Sequence, residues 1–267
     1  METIMATQPM PTGFGSFSWN QLNTSDLDKA EAFYTKLFGW EAKREDMGAF
    51  GPFVVIKNGG QHIASLMQMP AGAGSQSHWL SYVWVEDIDA SFVKMQALGG
   101  KAFVPPTAIP GVGRFAVFAD PGGALLAMFE QAPTMDPTKP APVGPGTFCW
   151  FECTTREDES SIAFYTALFG WTTSAMDMGP AGTYTIFHNR GEQVAGLMPM
   201  KGAEWPADMP AHWMPYVAVA NVDESFARVE ACGGQGCVPP TDIPNIGRFA
   251  VIDDGSGGYL SIFRGNQ

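Results

Sequence analysis

An eight-residue stretch occurs twice, and the repeat constrains the fold more than any other feature. Phe33-Tyr34-Thr35-Lys36-Leu37-Phe38-Gly39-Trp40 returns 131 residues later as Phe164-Tyr165-Thr166-Ala167-Leu168-Phe169-Gly170-Trp171. A self-similarity of this period means two copies of one unit. The 267-residue length agrees, since domains run to ~100–200 residues each.

The first copy is read as βαβββ. Residues 14–23 alternate around Trp19, Gln21 and Asn23, as a half-buried strand does. Thr24-Ser25-Asp26 offers helix-start chemistry. Leu27, Ala30, Phe33, Tyr34, Leu37 and Phe38 then form one apolar helix face, and Gly39 supplies the stop. Strands are expected over 41–46, 53–57 and 62–69, separated by Gly, Pro and Asn. After a Gly/Ser/Pro-rich connector at 70–77 the programme repeats: a strand over 78–85, a helix over 88–98, and strands over 101–104, 114–118 and 124–129. Pro105 to Pro110 reads as a stiff loop between strands. Asp120 and Asp254 are expected to close turns through side-chain-to-backbone bonds. The division is a tail at 1–12, a first domain at 13–131, a Pro/Gly-rich linker at 132–146 and a second domain at 147–267.

Composition excludes several partners. Fifteen Lys and Arg against 27 Asp and Glu give a net charge of −12, which argues against nucleic acid and anionic membranes. No apolar run or leader pattern is seen, and a cytoplasmic location is expected. The four cysteines, Cys149, Cys153, Cys232 and Cys237, fall only in the second copy. Their first-copy equivalents are Ser18, Leu22, Leu98 and Phe103, so buried reduced thiols are expected rather than a zinc site or disulfides.

The Phe-Tyr…Leu-Phe-Gly-Trp helix end, the Gly-Arg-Phe-Ala-Val strand at 113–117 and 247–251, and the Asp-Pro-Gly-Gly turn at 120–123 occur in order in paired βαβββ units. This layout resembles the vicinal oxygen chelate superfamily of glyoxalases, bleomycin-resistance proteins and extradiol dioxygenases. Within it, the layout is similar to tandem glyoxalase-like proteins related to a mycobacterial antigen. The resemblance implies an α+β fold of two tandem domains, each of two βαβββ modules forming a cupped mixed sheet. It also implies a small-molecule ligand.

Carried over, the family's metal-ligand positions fall on Trp19, Leu80, Ala127 and the 66–67 pair, and on Trp150, Met214, Ser261 and the 197–198 pair. None is a ligand type, so no metal is expected. A divalent nickel, zinc, manganese or iron ion is the lesser alternative, with Glu152 and His212 as half a site.

Two residues along the same faces lie Gln21, His78 and Tyr82, and Glu152, His212 and Tyr216. Trp19 and Trp150 are candidate stacking floors, though core packing is as good a reading. Arg114 and Arg248 are either structural ion pairs or clamps for a ligand anion. Tyr259 joins the ligand-binding candidates. Gln21 against Glu152 is the informative asymmetry: a carboxyl in an apolar cup has a raised pKa and can act as a base, with His212 assisting. The leading expectation is a metal-independent binding protein, monomer or homodimer, that sequesters an antibiotic or toxic metabolite. The alternative is an isomerase or lyase of the glyoxalase type, catalysed by Glu152 and His212, on a vicinal-oxygen substrate. A third reading is an interaction scaffold with vestigial cups.

Overall fold

The computed structural model describes residues 10–46, 51–70, 76–133, 142–179, 182–203 and 205–266. Most of the expected tail, the core of the connector and linker residues 134–141 lie outside the described residues.

The first half contains β1 (Phe17–Thr24), α1 (Leu27–Phe38), β2 (Glu41–Asp46), β3 (Pro52–Asn58), β4 (Gln61–Gln68), β5 (His78–Trp84), α2 (Ile88–Ala97), β6 (Lys101–Ile109), β7 (Gly113–Ala119) and β8 (Leu125–Gln131). The second repeats it with β9 (Phe148–Thr155), α3 (Asp158–Phe169), β10 (Thr172–Asp177), β11 (Thr183–Asn189), β12 (Glu192–Pro199), β13 (His212–Ala218), α4 (Val222–Arg228), β14 (Gln235–Ile243), β15 (Gly247–Asp253) and β16 (Tyr259–Gly265). Each half builds one eight-stranded mixed sheet, ordered β2-β3-β4-β1-β5-β8-β7-β6 and β10-β11-β12-β9-β13-β16-β15-β14. The two modules of a half therefore join at their opening strands, β1 with β5 and β9 with β13, both antiparallel. Adjacent modules, not the first and last, make each sheet.

Local chemistry explains the elements. Asp26 caps α1 by accepting from the Lys29 N–H, and Gly39 ends it at φ 71°. The copy lacks that cap: Glu157 at the head of α3 makes no side-chain cap bond. What it keeps is the bond common to both copies, Thr155 Oγ1 accepting the Glu157 N–H as Thr24 Oγ1 accepts that of Asp26. The proline stretch is a correction. Residues 105–109 belong to β6, and 239–243 to β14, each the outermost strand of its sheet. Both pairings carry two register shifts, at 102–107 and 236–241. An edge strand with bulges accepts prolines because their missing N–H points away from the ladder, and prolines there also blunt edge-to-edge pairing.

One core lies between the two sheets and holds all four helices. It joins Leu22, Trp79, Leu126, Phe33 and Tyr34 of the first half to Phe148, Phe151, Phe164, Tyr165 and Trp213 of the second. Phe17 and Phe151 stack across the halves at 3.8 Å. The repeated stretch is the docking device. Tyr34 Oη accepts from the Trp79 indole and donates to Asp254 Oδ2 of the other half at 3.1 Å. In the copy, Tyr165 Oη accepts from Trp213, and Ser161 Oγ donates to Asp120 Oδ2 at 2.7 Å. Trp40 donates to the Gly146 carbonyl and Trp171 to the Gly15 carbonyl. The two aspartates also close their turns as expected, accepting Ala124 N–H in one case and Ser256 and Gly258 N–H in the other.

The cysteine expectation holds for two residues only. Cys149 and Cys153 are buried, but Cys232 is half-buried and Cys237 exposed. Cys237 lies on edge strand β14, which among the described residues pairs with β15 alone. All four thiols are free. No helix among the described residues is long and apolar enough to cross a membrane.

Candidate functional site

The face of each sheet away from the shared core carries its own apolar cluster. In the first half Leu80, Tyr82 and Ala127 pack with Trp19, Phe115, Val117, Leu125 and Phe129. In the second, Trp150, Tyr184, Ile186, Tyr216 and Phe263 are bordered by half-buried Met176, Met178, Met198, Met214 and Phe249. Strand alternation puts Gln21 beside Trp19 and Glu152 beside Trp150 on these cup faces. The register sets Trp19 opposite Tyr82, Asn23 opposite His78, Trp150 opposite Tyr216 and Thr154 opposite His212.

The first cup holds a neutral polar chain. The Trp19 indole donates to Ser65 Oγ at 3.0 Å, and Ser65 donates to Gln21 Oε1 at 3.4 Å. Gln21 Nε2 donates to Asn23 Oδ1 at 2.9 Å, and Asn23 Nδ2 meets His78 Nε2 at 3.3 Å. His78 Nδ1 faces the Gln76 carbonyl at 2.9 Å. Nδ1 therefore carries the proton and Nε2 accepts.

The second cup is built differently. Trp150 Nε1 donates to Tyr184 Oη at 2.9 Å, Tyr184 Oη donates to Glu152 Oε2 at 2.9 Å, and Tyr216 Oη donates to Glu152 Oε1 at 3.1 Å. Two phenols thus hold one carboxylate, an oxygen each. Part of Glu152 stays open to solvent on the cup face. Burial nevertheless raises its pKa, while the phenols' hydrogen bonds oppose that rise. Burial and the neighbouring carboxylate push Tyr184 and Tyr216 well above the usual phenol range.

Three substitutions between the copies make this array: Gln21 becomes Glu152, Phe53 becomes Tyr184, and Ser65 becomes Gly196. Gly196 is needed for space. A Cβ there would sit 1.9 Å from Tyr184 Oη. The phenol fills the place of the absent serine and takes over its role as acceptor for the tryptophan. A fourth change, Asn23 to Thr154, alters the histidine. His212 Nδ1 faces the Pro210 carbonyl at 2.9 Å, but its Nε2 has no hydrogen-bond partner among the described residues. Burial lowers its pKa. His212 and Glu152 share a face two residues apart in register and do not hydrogen-bond each other.

The remaining sequence candidates divide. Trp19, Gln21, His78, Tyr82, Trp150 and Tyr216 lie on the cup faces. Tyr259 is exposed at the start of β16, at the rim. Arg114 and Arg248 do not belong to the cups; of their two readings the structural ion pair is the one formed, and their place among the ligand-binding candidates is corrected. Each shares strand parity with core-facing Ala116 and Phe118, or Ala250 and Ile252. Arg114 makes a two-pronged pair with Asp89 on α2, and Arg248 with Asp223 on α4 plus Asp242. Helix-borne carboxylates lie on the same side as these guanidinium groups, so the forks are spent there. Tyr184 and Gly196 escaped sequence reasoning, yet the aligned copies carry the signal, Phe53 against Tyr184 and Ser65 against Gly196.

The family's metal fits poorly. Trp150, Met214, Met198 and Ser261 do gather at the cup face, but a divalent ion needs about three N, O or S protein donors. No group of three His, Cys, Asp or Glu side chains comes together among the described residues. Both oxygens of Glu152 are already engaged by phenols.

The Glyoxalase/Bleomycin resistance protein/Dioxygenase superfamily model matches residues 16–128 and again 148–262. The chain is 33% identical over 255 residues to the Mycobacterium tuberculosis protein named "Putative glyoxylase CFP32", covering 94% of this chain and 95% of that one. It is 28% identical over 261 residues to the "Anthracycline biosynthesis protein DnrV" of Streptomyces peucetius, covering 92% of each. Among solved structures, the Mn(II)-bound glyoxalase from Novosphingobium aromaticivorans aligns with a TM-score of 0.64 at 16% identity, over 95% of this chain and 83% of that one. The 2,3-dioxygenase LapB of Pseudomonas sp. KL28 aligns at 0.62 and 15%, over 96% and 94%. At such identity the structures speak for fold alone. The two family matches, one on each eight-stranded sheet, make the chain a member of the Glyoxalase/Bleomycin resistance protein/Dioxygenase superfamily with two of its domains in tandem.

Proposed function

We propose that the chain binds a small, largely apolar, aromatic molecule in its second cup, independently of metal, as a sequestering protein for an antibiotic or toxic metabolite. The observation that carries this is the Trp150–Tyr184–Glu152–Tyr216 array on a half-buried floor of Met176, Met198, Met214 and Phe249. Flexible thioethers adapt to ligand shape, and few oriented polar groups on an apolar surface are how small-molecule sites achieve specificity. The relatives named for glyoxylase and anthracycline chemistry support a small organic ligand.

A second reading is proton transfer by an isomerase or lyase of the glyoxalase type. Two features favour it: the raised pKa of Glu152, and His212 Nε2 on the same face, which no group among the described residues bonds. In that reading Glu152 takes a proton from a carbon next to an oxygen-bearing one, and the two phenols hold the carboxyl in place.

Titration of the full chain with a panel of polycyclic quinones and ketones, followed by Trp fluorescence, tests the binding reading. Saturable quenching is expected, unchanged by chelator and lost in Tyr184→Phe/Glu152→Gln. A stoichiometric nickel, zinc, manganese or iron ion that Glu152→Gln abolishes would overturn it. Deuterium incorporation into a bound ligand, lost with Glu152→Gln, would select the second reading.

A further inference from the structure

The carboxylate of the second cup has no counter-ion among the described residues. Among the described residues, the salt bridges involve other groups, and no Lys, Arg or His pairs with Glu152. The charged and titratable groups facing it are Tyr184 from β11 and Tyr216 and His212 from β13. Both phenols donate to it, and that polarity suits an acceptor-only carboxylate. Each phenol supplies a dipole rather than a charge. The first cup offers an internal comparison: the same position is Gln21, bonded to Ser65 and Asn23 in a neutral chain. Among the described residues, the second copy therefore gained a negative charge, a second phenol to orient it and a glycine to make room for that phenol, without gaining a cation beside them.

A charge left unpaired and half-buried, as Glu152 is, carries a desolvation cost, and a ligand that brings the opposite charge recovers part of that cost on binding. The surrounding aromatic rings attract cations as well, and a chain of net charge −12 draws cations toward it.

Resting on the small-molecule reading above, we infer that the second cup selects a ligand bearing a protonated amine on an aromatic frame, with the ammonium seated against Glu152, and that the first cup lacks this preference.

The test uses two probes of one shape, naphthylmethylamine, a cation at neutral pH, and naphthylmethanol, which is neutral. Calorimetric titration of the full chain should show the amine binding at least about tenfold more tightly than the alcohol, the scale of a close charge pair in a desolvated site. Glu152→Gln should bring the two within about twofold, because the amide keeps an acceptor and loses the charge. Gln21→Ala should leave the amine preference intact. Equal or tighter binding of the alcohol to the wild-type chain would overturn the inference while leaving the small-molecule reading standing. Failure of both probes to bind would overturn both. The comparison of the two probes on the wild-type chain decides the matter even if a variant does not fold.

Discussion

Gly196→Ala is the sharpest test of how the second cup is assembled. The added methyl would fall 1.9 Å from Tyr184 Oη and 2.3 Å from its Cζ, so the ring must leave. Tyr184 then loses its bond to Glu152 and its bond from Trp150. A lost bond to a charged group costs about 1.5–3 kcal/mol and a neutral one about 1 kcal/mol. The overpacking adds about 1–3 kcal/mol, part of it recovered by relaxation. A net loss of about 3–4 kcal/mol follows, or a fall of roughly 6–15 °C in Tm for a chain of this size. The first copy supplies the cure. Tyr184→Phe with Gly196→Ser restores the pair found at Phe53 and Ser65, where a hydroxyl accepts the tryptophan N–H. Thermal melts and urea titrations of Tyr184→Phe, Gly196→Ser and the double variant form a cycle. The coupling should favour the double variant by about 2 kcal/mol, within the range for residues in contact. Strict additivity, or a neutral Gly196→Ala, would refute the claim that glycine is there to admit the phenol.

Other outcomes are expected on the same grounds. A carboxyl whose folded pKa is raised binds a proton more readily folded than unfolded, so stability falls as pH rises from the ordinary carboxylate value through the folded one. The melting temperature of wild type relative to Glu152→Gln should therefore drop over that window and level off above it; subtracting the two cancels Asp254, which burial also raises. Tyr34→Phe removes the donor to Asp254 and the acceptor for Trp79 in the shared core, and should cost about 1–3 kcal/mol in a urea titration. A thiol reagent should label exposed Cys237 first and Cys232 more slowly. Cys149, its thiol pushed up to about 12 by burial, and Cys153 should react only in denaturant, as mass spectrometry of timed samples would show.

The fold was legible because its signals are local and occur twice. The Leu27-to-Phe38 face and the Gly39 stop need only helix geometry, and each is repeated at fixed offset. The proline stretch misled because a loop and a bulged edge strand share one composition, and only the sheet order tells them apart. Arg114 and Arg248 stayed undecided between ion pair and ligand clamp for another reason. Strand parity placed them away from the cup, but their partners Asp89 and Asp223 lie on helices 25 residues away in the chain. Glu152 stood out as a charge change at an aligned position. Tyr184 did not, because a phenylalanine-to-tyrosine change looks minor until Gly196 shows that its hydroxyl has been given a place. The neutral chain through Ser65, Gln21, Asn23 and His78 depends on side-chain rotamers that no periodicity reveals.

The crossed docking of the halves has an evolutionary consequence. Tyr34 of α1 reaching Asp254 and Ser161 of α3 reaching Asp120 are reciprocal, the helix of each half meeting the turn aspartate of the other, which is the pattern of an isologous contact between identical subunits. A homodimer of one half would use the same contacts, but any mutation would strike both of its sites alike. With the two halves in one chain, each position is inherited separately. The interface can stay symmetric while Gln21, Phe53 and Ser65 keep one chemistry and Glu152, Tyr184 and Gly196 take up another. Fusion of this kind frees a second site to specialise while the first continues to hold the pair together.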